Sequence, residues 1–67
     1  MARRDVVRLA ESAGHEMEAA ILCGDRELAL EILEDTTEEL AENAKRSSYV
    51  WDTLSWLQGR ANCIGLL

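Results

Sequence analysis

The sequence predicts an all-α fold, a small antiparallel helical hairpin plus a third helix, completed as a homodimer. Three observations carry that prediction. Proline is absent from all 67 residues, and Ala, Leu and Glu dominate, which favours helix. Apolar residues recur at spacings of three and four instead of alternating. A chain this short also has room for only one core, so residues 1–67 are read as a single domain. Domains of this size usually need a disulfide, a metal or a partner subunit, and self-association is the expected supplement.

The first helix is expected from about Arg4 to Leu22. Val6, Leu9, Ala10, Ala13, Met17, Ala20 and Ile21 fall on one face, with Arg8, Glu11, His15 and Glu18 opposite. Small residues at Ala10, Ala13, Gly14 and Ala20 let a neighbouring helix approach closely. In "CGDRE", Gly24 can take the left-handed conformation that ends one helix, and Asp25 can cap the next.

The second helix is expected from about Arg26 to Lys45. Its inner stripe is Ala29, Leu33, Thr36, Leu40 and Ala44, with Leu30, Ile32 and Thr37 as shoulders. Asp25 and Glu27 at its start and Lys45 and Arg46 at its end complement the helix dipole. Ser47 or Ser48 is expected to cap a third helix bearing Val50, Leu54, Leu57, Ala61 and Ile64 on one stripe. Had the second helix continued, that stripe would sit about a quarter-turn out of line, at ~100° per residue. A break near Ser47 is therefore expected; one long bent helix in a two-helix hairpin is the alternative. The closing "GLL" is expected to fray.

The net charge of −6 is concentrated in one element: Asp25 to Arg46 holds eight acids against three bases, the rest five against four. Glu27, Glu31, Glu34, Glu38 and Glu42 fall on one outward face about 22 Å long at 1.5 Å per residue, widened by Asp35 and Glu39. Such a face can simply keep a small protein soluble. It can also dock on a basic surface, including one that binds nucleic acid, since a row of carboxylates loosely imitates a phosphate backbone.

In the third helix Tyr49, Trp56 and Cys63 form a stripe to one side of the apolar one, and Trp51 lies on the other side. So small a bundle cannot easily bury all three aromatics on one face, so at least one is expected to be exposed, either as broad core packing or as an interface anchor. Arg60, four residues after Trp56, is placed to stack on its indole.

Chemistry finds little support. His15 sits among Glu11, Glu18 and Arg8 without a nucleophile near it in sequence, and "ESAGH" spaces acid and imidazole by four where a di-iron helix uses three. One histidine and two distant cysteines, Cys23 and Cys63, make no zinc signature. No catalytic residue, metal ligand or cofactor is assigned. The cysteines are expected to be reduced, buried small hydrophobes, although the same pole of an up-down-up bundle could bring them together. The basic "MARRDVV" leads into polar "RLAESAGHE" instead of an apolar leader, and no transmembrane span follows, so a cytoplasmic protein is expected. Arg3, Arg4 and Arg8 form a basic cluster, but the acidic second helix and a third helix with Arg60 as its cation argue against direct DNA binding.

The expected role is that of a small acidic non-catalytic binding protein, an inhibitor or adaptor in the manner of compact bacterial or viral regulators. Its partner would be a larger protein, met through Glu27, Glu31, Glu34, Glu38, Glu42, Tyr49, Trp51 and Trp56. A structural homo-oligomerisation module is the alternative, and a helical DNA-binding domain the third.

Overall fold

Each of the three apolar stripes becomes the buried face of a helix in the computed structural model, which describes residues 3–44 and 48–66. Among these residues there are three helices and no strand: α1 (Arg3–Leu22), α2 (Arg26–Ala44) and α3 (Tyr49–Cys63). Every pair of helices is in contact. A single bent helix would not fold α3 back onto α2, so the two-helix alternative is excluded. The break expected at Ser47 lies outside the described residues, as do Lys45 and Arg46.

The core follows the predicted register. Val6, Ala10, Ala13, Met17 and Ala20 from α1 meet Ala29, Leu33, Thr36 and Leu40 from α2 and Val50, Leu54, Leu57 and Ala61 from α3. The alanines on α1 add little volume but allow close approach, so a few larger side chains, chiefly Met17, Leu40 and Leu57, fill the centre. The accessible surface of 4496 Å² is near the about 4,250 Å² expected of a folded monomer of this mass. One chain thus buries about as much surface as a folded monomer of its size does.

The turn after α1 is closed by local chemistry. Gly24 has φ +80°, which glycine adopts without the steric cost of a Cβ. The Asp25 N–H donates to the Ala20 carbonyl at 2.8 Å and the Gly24 N–H to Ile21 at 3.0 Å, the paired bonds of a Schellman motif. Asp25 then opens α2, its Oδ1 accepting from the Leu28 N–H at 3.0 Å.

The same motif ends α3, and here the structure corrects the expected fraying for Gly65 and Leu66; Leu67 lies outside the described residues. Gly65 has φ +80°, the Leu66 N–H donates to the Ala61 carbonyl at 2.9 Å, and the Gly65 N–H to Asn62 at 3.1 Å. Leu66 is buried in the core. Arg26, at the start of α2, donates from its two terminal nitrogens to the Gly65 and Leu66 carbonyls, each at 2.9 Å. The carbonyls of the turn that follows α3 are thus satisfied by a guanidinium from another helix.

Arg26→Ala should lower stability by about 1 kcal/mol, because both contacts are at least partly solvated. Arg26→Lys should recover only part of that loss, since one ammonium cannot span both carbonyls as a planar fork does. Urea titration of the three proteins measures it; an alanine variant as stable as the parent would show that the clasp contributes nothing.

A cap at Ser48 is a second correction; the alternative cap, Ser47, lies outside the described residues. Ser48 has helical φ/ψ of −65° and −29° and makes no side-chain capping bond. A capping serine needs an extended backbone to fold its hydroxyl over the first turn. Instead the Trp51 N–H bonds to the Ser48 carbonyl at 3.1 Å, a tight first turn.

Candidate interaction surfaces

Register alone sets the outer face of α2. Its buried stripe points at α1 and α3, so Glu27, Glu31, Glu34, Glu38 and Glu42 fall on the outer half of the helix, Glu34 and Glu38 toward its α3 edge; all five are exposed, as are Asp35 and Glu39. Among the described residues no cation pairs with any of them. The ion pair that does form joins Arg60 of α3 to Glu18 of α1 at 2.6 Å. Both of its side chains are about two-fifths exposed, so it adds at most about 1 kcal/mol.

The aromatic residues divide between two sides of α3. Trp56 is 48% exposed, Tyr49 is half-buried, and both line a 260 Å³ groove between α1 and α3 with Val7, Ala10, Glu11, Asp52 and Thr53. The Trp56 ring lies beside Gly14 of α1, where an added Cβ would meet it at 3.5 Å. Trp51, 59% exposed, lies seven residues before Gln58 and shares its stripe. Gln58 lines the groove between α2 and α3 with Leu33, Glu34, Thr37, Glu38 and Ala41.

The eight residues expected to bind a partner therefore do not form one surface. Glu34 and Glu38 line the α2–α3 groove with Gln58, whose stripe on α3 Trp51 shares, while Tyr49 and Trp56 line the α1–α3 groove. Sequence reasoning missed Glu11, Asp52 and Val7 as companions of Tyr49 and Trp56. Asp52 carried a signal, being four residues before Trp56 on one helix face. Glu11 and Val7 needed the packing of α1 beside α3.

Three further expectations change. The Arg60 guanidinium, expected over the Trp56 indole, is tied to Glu18, a carboxylate that α1 brings within reach. Glu18 itself is half-buried instead of lying on the open polar face. Cys23 and Cys63 are free and exposed, not buried. Each lies beyond the last core residue of its helix, Ala20 and Ala61, where the chain turns away.

His15 is exposed beside Glu11, Gly14, Trp56 and Arg60. Among the described residues no three His, Cys, Asp or Glu side chains are grouped to hold a metal ion. No helix among them is long and apolar enough to cross a membrane. Comparison with protein-family models, curated proteins and solved structures yields no match.

Proposed function

We propose that this chain is a small acidic non-catalytic binding protein of the cytoplasm, an inhibitor or adaptor that occupies a basic surface of a larger protein. One observation carries the reading: a row of exposed α2 carboxylates that no described cation relieves. Like charges three and four residues apart each work against the helix by a few tenths of a kcal/mol. Solubility would be served as well by acids spread over three helices. Confined to one face, they form a field that steers a basic partner and repels acidic competitors. The exposed Trp51 on α3 supplies the kind of apolar anchor that interfaces favour.

A homo-oligomerisation module is the second reading. It is favoured by Leu22, 81% exposed, and Leu28 at the turn between α1 and α2, with the two tryptophans available as further contact area. A homodimer is compatible with either reading, since the outer faces remain free. DNA binding gains no support, because the acidic face points outward and Arg60 is engaged by Glu18.

The test is capture on the immobilised chain from native cytoplasm, followed by mass spectrometry and sedimentation. A stoichiometric foreign protein is the expected result. Recovery of the chain alone, at twice its 7.5 kDa, would replace this reading with the module.

A further inference from the structure

We infer that the groove between α1 and α3 receives a lysine or arginine side chain from an exposed segment of the partner protein. The inference rests on the reading of this chain as a protein-binding protein, but concerns a different face from the α2 acids. At 260 Å³ the groove falls below the about 300–1,000 Å³ of ordinary small-molecule pockets, a size that suits one long side chain.

Its lining is mixed in a particular way. Val7 offers apolar surface, Tyr49 and Trp56 offer aromatic rings, and Glu11 and Asp52 bring a carboxylate from each of the two helices. No described cation pairs with either carboxylate, and the nearby guanidinium of Arg60 is held by Glu18. An aliphatic stem would lie along Val7 while its charged head reaches the rings and acids. A neutral apolar occupant would partly desolvate Glu11 and Asp52 without compensation, and an acidic one would be repelled. Charge complementarity therefore selects a cation, and the half-exposed indole of Trp56 gives it a face to rest on.

Titration with the blocked tripeptide acetyl-Ala-Arg-Ala-amide, followed by the two indole N–H resonances, tests the assignment. A saturable shift at Trp56 without one at Trp51 is expected, with acetyl-Ala-Gln-Ala-amide giving none. Glu11→Gln combined with Asp52→Asn should weaken the arginine peptide about tenfold. Both positions are exposed, so helix content should stay at the parent level. Trp56→Leu, read by backbone amide shifts around Ala10 and Thr53, should weaken it similarly.

An equal response to the glutamine peptide, no saturable shift, or unchanged affinity in both variants would overturn the inference. Tighter binding of spermidine than of the peptide would overturn it too, by assigning the groove to a free polyamine. Neutralising the α2 acids should leave peptide binding within twofold of the parent. A failed peptide titration thus leaves the α2 reading standing, and an absent captured partner leaves the groove result standing.

Discussion

Leu57→Ala is expected to remove a large share of the protein's folding stability. Leu57 is fully buried on the stripe by which α3 meets α1 and α2. Truncating a buried leucine costs about 2–5 kcal/mol, through lost transfer energy and the cavity left behind. At about 0.05–0.15 kcal/mol per residue a 67-residue chain has only about 3–10 kcal/mol in total. Relaxation around the cavity gives little relief, because the facing positions on α1 include alanines with no volume to shift into it. Circular dichroism with urea titration should show the loss. Gln58→Ala, one residue further on and exposed, should change stability by less than about 0.5 kcal/mol. Equal stability of the two variants would mean that α3 is not packed as described.

The contrast between Leu57 and Gln58 also shows what could be read without a structure. A 3.6-residue period converts spacing directly into burial, so Val50, Leu54, Leu57 and Ala61 were assignable from their intervals alone. The turn at Gly24 and Asp25 was equally legible, because a left-handed glycine and a capping carboxylate are chemistry within a few residues. Leu66 was not. Its local context predicts fraying, and part of what holds it is Arg26, 40 residues earlier in the chain. The exposed cysteines were misjudged for a related reason: residue type favours burial, but position beyond Ala20 and Ala61 decides it.

The interaction surfaces divide along the same line. Exposure of the α2 carboxylates followed from their register with the buried stripe. Separation of Trp51 from Trp56 was also visible as opposite sides of one helix. The grouping of Glu11 with Asp52, Tyr49 and Trp56 was invisible, because it depends on which helix lies beside α3 and at what height. Arg60 shows the same limit: the spacing to Trp56 was local, whereas the carboxylate that claims it comes from α1, 42 residues away.

Replacing Glu31, Glu34, Glu38 and Glu42 together by glutamine is expected to separate folding from recognition. All four side chains are exposed and none has a described ionic partner, so nothing in the core depends on their charge. Glutamine keeps their shape and nearly their helix propensity, and the repulsion between neighbours disappears. Stability should therefore equal or slightly exceed that of the parent. Neutralising four acids also moves the net charge from −6 to −2. Association with a basic partner should then slow by about tenfold or more at low salt, with a flatter dependence on ionic strength. Dissociation should change less, because long-range steering acts mainly on encounter. Stopped-flow or surface-binding kinetics across a salt series, using the partner obtained by capture, reads both rates. If the acids serve solubility alone, the variant will precipitate more readily yet associate as fast as the parent at every salt concentration. Partner recognition would then have to reside in the Trp51 side of α3 or in the α1–α3 groove, where the peptide titration gives an independent reading.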